Sequence, residues 1–268
     1  MKRIFIFGLL FALVGVGVWM LKNNQPVADA QTVKNQNAAP DDTARKTPVL
    51  IELFTSEGCS SCPPAEANPA RLEKEQSVAG AEIITLSLHV DYWNSLGWKD
   101  EYSSPLYSRR QQLYSQALKL DSNYTPQMIV DGRTEFVGSN EEKSRKAIRE
   151  ALKNQKATVE ITQNADNLKI KISDVPTHTN ATVFLAVTED NLASNVRRGE
   201  NSGRKLEHTS VVRDLRSLGM LTAEQKTSNI ETALQIQLNW KRENLKIVVF
   251  VQENASRKIL GVNRKSLS

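Results

Sequence analysis

Cysteine is nearly absent from this 268-residue chain: there are two, both between positions 59 and 62. A small domain stapled by disulfides needs several dispersed cysteines. A Cys-rich structural zinc site needs more ligands than two Cys and three scattered His. Both classes are excluded. Charge of one sign is scarce as well, since 35 Lys and Arg stand against 30 Asp and Glu, a net +5. Lys2, Arg3, Lys22 and Asp29 lie in an N-terminal segment of separate character, and without them the balance is +3. That is weak for a nucleic-acid binder, so no nucleic-acid partner is expected. With 40% hydrophobic and 24% charged residues the chain is globular in composition, with room for one large domain or two modest ones. No internal repeat or low-complexity tract stands out.

Long apolar runs are also missing, with one exception. Residues 4–21 (IFIFGLLFALVGVGVWML) carry no charge, follow Lys2 and Arg3, and precede Ala28-Asp29-Ala30. Residues 1–30 therefore read as a signal peptide, cleaved after the small-residue triplet, or as a membrane anchor through 4–21. Either reading exports the rest of the chain to the periplasm or the outer face of the membrane. Residues 31–46 are polar, contain no aromatic residue, and read as a linker.

From residue 47 the pattern changes. VLIELF (49–54) and IITLSLHV (83–90) suit buried strands, and a helix is expected between them, after TSEGCSSCPP. Ser104-Pro105 opens a second helix. QMIV, Asp131-Gly132 and RTEFVG predict two strands joined by a two-residue turn, and a third helix follows over 140–154. These elements define an α/β domain at 47–154: a parallel βαβ unit with an antiparallel pair appended. Beyond residue 155, TVEITQ, LKIKISDV, ATVFLAVTED, ALQIQL, LKIVVFVQ and RKILGV predict a separate β-rich, sandwich-like domain over 155–268.

Cys59 and Cys62, spaced i, i+3 with Gly58 before and Pro63-Pro64 after, fall where the first strand hands over to the first helix. A helix N-terminus favours a thiolate, so Cys59, taken as exposed, is the candidate nucleophile. Cys62, one turn on, is placed to resolve a mixed disulfide. A purely structural bridge is the alternative, although so short a loop stabilises by only about 2 kcal/mol. Thr125-Pro126 precedes QMIV, and a proline at a strand entrance admits a cis bond. Parallel pairing of the first two strands brings the Cys pair, His89-Val90-Asp91-Tyr92-Trp93 and Thr125-Pro126 to one sheet edge. Trp93 and Trp98 then line a substrate groove or pack the inserted segment. His89 is a proton-transfer or metal candidate. Two thiolates plus His89 could hold Cu(I), although only Met128 and Met220 lie beyond the N-terminal segment. Residues 197–219 carry many charges, with Gly199 and Gly203 allowing a tight loop, and could dock a partner, cover the disulfide, or form a solvated hairpin.

The CxxC at a helix start together with Thr-Pro before an antiparallel strand resembles the thioredoxin superfamily. The resemblance implies thiol-disulfide exchange with protein thiols or disulfides and no dissolved cofactor. It implies a substrate backbone held at Thr125-Pro126, and a buried carboxylate, here Glu52, assisting proton transfer from Cys62. The phrases ELFTSEGCSSCPPAE, LHVDYWNSLGWKD, SPLYSRRQQLY, YTPQMIVDGR, EFVGS and RRGENSGRKLEHTSVVRDL resemble a bacterial family of exported thioredoxin-like proteins of undefined function, domain of unknown function 1223. The alternatives are a copper-binding metallochaperone and a non-enzymatic protein-binding module on the same fold.

Overall fold

Strand alternation along residues 47–55 decides how the layers assemble. Strand β1 (Thr47–Thr55) sends Val49, Ile51 and Leu53 to one face and Leu50, Glu52 and Phe54 to the other, and all six are buried. The first face packs on helices α1 (Cys62–Glu75) and α3 (Glu141–Ala151) through Leu72, Ala147 and Ile148. The second packs on α2 (Pro105–Leu118) through Tyr107 and Tyr114. The computed structural model of the chain describes residues 46–267. The expected signal or anchor segment, and the linker except its last residue, lie outside the described residues. Among the described residues no helix is long and apolar enough to cross a membrane.

The helices begin where local chemistry allows. The first positions of α1 carry Pro63 and Pro64, which tolerate the start of a helix because its first N–H groups have no intrahelical partner. The Ser104 side chain caps α2 by accepting from Leu106 N (3.2 Å), and Asn140 caps α3 by accepting from Lys143 N (2.9 Å). Glu141 and Glu142 add negative charge to the first turn of α3.

Strand β2 (Ala81–His89) runs parallel to β1 in register from Thr47↔Ala81 to Thr55↔His89. Strand β3 (Gln127–Val130) is antiparallel to β1, and β4 (Thr134–Val137) closes a hairpin with it. The hairpin turns through Asp131, Gly132 and Arg133, one residue more than the expected two-residue turn, with Asp131 (φ 53) and Gly132 (φ 71) both left-handed. A methyl group on Gly132 would meet the Arg257 carbonyl oxygen at 1.9 Å. Gly132→Ala should therefore cost more than the about 1–2 kcal/mol of left-handed strain alone. An unchanged urea midpoint would contradict this.

The C-terminal half departs from the expected separate domain. It supplies β5 (Thr158–Asn164), β6 (Asn167–Ser173), β7 (Ala181–Glu189), β8 (Leu192–Asn195), β9 (Lys205–His208), β10 (Val211–Leu221), β11 (Ser228–Ala233), β12 (Leu245–Glu253) and β13 (Ile259–Ser266). Four of these join the N-terminal strands in one eight-stranded sheet, ordered β13-β12-β7-β10-β2-β1-β3-β4. The seam is β10, which pairs β7 antiparallel along its length and touches β2 in parallel at Val211↔Ser87. Tyr107 fastens α2 to it by donating to Val212 O (2.8 Å). A smaller sheet, β11-β6-β5, packs on β7 and β12 through Leu168, Ile170, Val183, Leu185, Ile247 and Val249, which gives that half a sandwich-like layer. The strand expected at ALQIQL (233–238) lies earlier, at 228–233. From residue 46 on, the described chain is one compact unit.

Candidate functional site

Cys59 and Cys62 form a disulfide at the junction of β1 and α1. Cys62 is the first residue of α1, and Cys59 lies one turn before it, with Cys62 N donating to Cys59 O (3.2 Å). Cys59 is only 1% exposed and Cys62 is fully buried, so the expectation of an exposed nucleophile is corrected. The reason is a cover from distant sequence. Buried Asn201, in the loop between β8 and β9, donates from Nδ2 to Glu57 O (2.8 Å) and Cys59 O (2.9 Å). Its Oδ1 accepts from Arg204 Nη1 (2.7 Å), while Glu200 accepts from Ser60 N (2.9 Å). Of the alternatives for residues 197–219, the 197–204 part closes over the disulfide loop.

Thr125-Pro126 is a cis peptide. Pairing of Phe54 with Gln127 puts Pro126 beside the end of β1. Trp93 bridges the two segments: its indole Nε1 donates to Thr125 Oγ1 (2.8 Å), and its Cβ lies 3.3 Å from where a Cβ on Gly58 would be. Absence of a side chain at Gly58 thus admits the Cβ and backbone of Trp93. Trp98 donates to Glu57 Oε2 (2.7 Å) and rests on Gly199 of the cover.

Glu52 does not serve Cys62. It points to the α2 face, opposite α1, where Arg110 Nε (2.6 Å) and Nη2 (3.0 Å) donate to its carboxylate together with the Tyr114 hydroxyl. It is 1% exposed, and α1 packs on the other face of β1. The Arg110 guanidinium stands 5.2–5.3 Å from the rings of Tyr114, Phe184 and Phe250. Burial opposes its charge, but the Glu52 carboxylate outweighs that and raises its pKa. The proton-transfer role expected for Glu52 is therefore replaced by a buried ion pair.

His89 is buried on the α1 side, in phase with Thr85 and Ser87. Its Nδ1 lies 2.7 Å from Asp100 Oδ2, and its ring meets His208 edge-on at 5.1 Å between centroids. His208 Nδ1 contacts Glu66 Oε2 (2.7 Å) and Nε2 contacts Glu57 Oε1 (3.1 Å). Burial opposes a charged His208, but hydrogen bonds to Glu57 and Glu66 prevail and push its pKa up to about 10. Glu66 is held low despite burial by the same partner. Asp100 is also held low, burial being outweighed by His89.

Sequence reasoning singled out His89 but not Glu57, Glu66, Asp100, Asn201 or His208. The usable signal was scarcity: of three histidines, two meet here, and the third, His178, lies 3.0 Å from Thr222 O.

The fold is that of a mixed α/β protein with a buried CxxC disulfide between a strand and a helix, beside a cis-proline and beneath a loop cover. Residues 50–252 match the family described as a protein of unknown function (DUF1223), and the chain belongs to that family. A crystal structure of an Agrobacterium tumefaciens protein shares the fold, with TM-score 0.66 and 26% identity over 82% of this chain and 94% of that one. A domain of the outer membrane lipoprotein Omp28 from Porphyromonas gingivalis covers 42% of this chain and 89% of its own length, at 15% identity and TM-score 0.24. Superoxide reductase from Nanoarchaeum equitans covers 42% and 92%, at 11% and 0.21. Neither likeness carries an argument about this chain. No functionally curated protein matches the sequence.

Proposed function

We propose that this is an exported, thioredoxin-like thiol-disulfide oxidoreductase acting on protein thiols or disulfides through Cys59 and Cys62. The observation that carries the reading is the Cys59–Cys62 disulfide at the β1–α1 junction, linked through Trp93 to the cis Thr125-Pro126 segment. The β2-β1-β3-β4 order with β3 antiparallel supports the thioredoxin-like assignment. Export rests on residues 1–30.

In the reduced protein the Cys59 thiolate attacks one sulfur of a substrate disulfide. A mixed disulfide forms and one substrate thiolate leaves. Cys62, as thiolate, then attacks Cys59, which restores the internal disulfide and releases the second substrate thiolate. The reverse sequence oxidises a substrate dithiol. Thr125-Pro126 and Trp93 flank the substrate chain. Because Cys59 is buried, substrate enters only when the 197–204 cover lifts, which breaks the Asn201 and Glu200 contacts.

The test is Cys62→Ser, expressed with its own N-terminal segment. It should accumulate covalent adducts that dithiothreitol releases and that disappear in Cys59→Ser/Cys62→Ser. Absence of adducts in an oxidising compartment would count against exchange and favour a binding module.

A further inference from the structure

One donor atom from each of Glu66, His89 and His208 lies within 4.8 Å of the others, and no cysteine belongs to this group. Both histidines are buried, with side-chain exposures of 0% and 1%. His89 Nε2 has no hydrogen-bond partner although it is fully buried. A buried polar atom left unpaired costs about 1–3 kcal/mol, so its persistence calls for a ligand.

The surroundings identify which kind. Asp100 is engaged as an acceptor on both oxygens: Oδ2 takes Glu57 N (2.9 Å) and Oδ1 takes Tyr102 N (2.9 Å). The close contact between Oδ2 and His89 Nδ1 therefore places a ring proton on Nδ1, so Nε2 is the nitrogen that the neutral ring offers to a metal ion. A carboxylate fixing one ring nitrogen while the other is left without a protein partner is how metal-binding histidines are held. We propose that Glu66, His89 and His208 form a binding site for a divalent transition-metal ion of the zinc class.

Two imidazoles and a carboxylate are the borderline nitrogen and oxygen donors such ions take, at about 2.0–2.2 Å. Binding draws the three donors closer together and displaces the proton between His208 Nδ1 and Glu66. Glu57, 3.1 Å from His208 Nε2, sits on the ring nitrogen away from Glu66 and orients that imidazole. Thr55 Oγ1 donates to Glu66 Oε1 (2.6 Å) and orients that carboxylate. The site lies four residues along α1 from Cys62 but uses no sulfur. It goes beyond thiol exchange and does not depend on it.

Full-length protein with its disulfide intact is stripped with chelator and titrated with Zn2+ alone. One equivalent should bind with proton release and raise the thermal midpoint. Co2+ in its place should give the visible absorption of a low-coordinate nitrogen and oxygen site. These readouts use the unaltered protein, so they hold even if a variant misfolds. Cys59→Ser/Cys62→Ser and His178→Gln should keep the stoichiometry. His89→Asn should lose it, and Asp100→Asn, which removes the orienting charge, should weaken it about 10–100-fold. The proposal is overturned if the oxidised protein takes up no stoichiometric Zn2+, if uptake survives His89→Asn, or if it vanishes with the cysteines. Thiol exchange could fail its trapping test while Zn2+ binding persists, and the reverse also holds.

Discussion

Glu52→Ala should lower the unfolding free energy by about 3–5 kcal/mol, because it strands the buried Arg110 charge without a counter-ion. The two groups are desolvated together: Glu52 is 1% exposed, Arg110 is 7% exposed, and three aromatic rings surround the guanidinium. Only Tyr114 would still accept a hydrogen bond from Arg110, and its hydroxyl already accepts from Gln252 Nε2 (2.7 Å). At about 2–4 °C per kcal/mol for a chain of this size, the thermal midpoint should fall by roughly 6–20 °C. The double change Glu52→Leu/Arg110→Met should recover most of the loss, since an apolar pair of similar volume carries no desolvation penalty. A single variant that unfolds like the parent in urea would contradict the buried pair. Glu52→Gln separates the two roles for this residue. If Glu52 handled the Cys62 proton, Glu52→Gln would slow exchange with stability intact, whereas the geometry predicts lost stability and an unaffected cysteine pair.

Asn201→Ala is the second large effect, and its readout is chemical. The side chain ties the 197–204 loop to the backbone of the disulfide loop through two buried hydrogen bonds. Its removal leaves Glu57 O, Cys59 O and the Arg204 guanidinium short of a partner. If opening of the cover precedes attack on Cys59, destabilising the closed state by about 1.4–2.8 kcal/mol multiplies the reduction rate about 10–100-fold. Reduction by a small thiol, followed by alkylation of the released cysteines and mass analysis, measures this. Gly132→Ala serves as the destabilised control, since its clash is with Arg257 and not with the cover. Equal reduction rates in parent and Asn201→Ala would mean that the cover does not govern access.

The class of local structure was readable because it depends on short-range rules. The Ser104 and Asn140 caps, the Asp131-Gly132 turn and the alternating apolar faces of β1 and β2 follow from neighbours in the chain. The position of the cysteine pair between a strand and a helix was readable for the same reason. β10 was not. VVRDLRSLGML carries charges at intervals that suggest a solvated loop, yet Arg213 lies 3.4 Å from Glu189 and 5.1 Å from the Tyr102 ring, so its charge is met inside the fold. Without β10 the two halves looked like separate domains, and with it they share one sheet.

Scarcity of cysteine is where the sequence by itself was most informative. Two cysteines in one turn exclude a disulfide scaffold and leave a single pair. Tertiary structure alone decided whether the pair is accessible, what Glu52 does, and which side chains gather around His89. Strand periodicity shows that residues 50, 52 and 54 share a face, but not which helix covers it. Asn201 and His208 reach the Cys59 region from more than 140 positions away. No local propensity encodes such a contact, because it exists only after β10 has joined the large sheet and β8 and β9 have paired beside it.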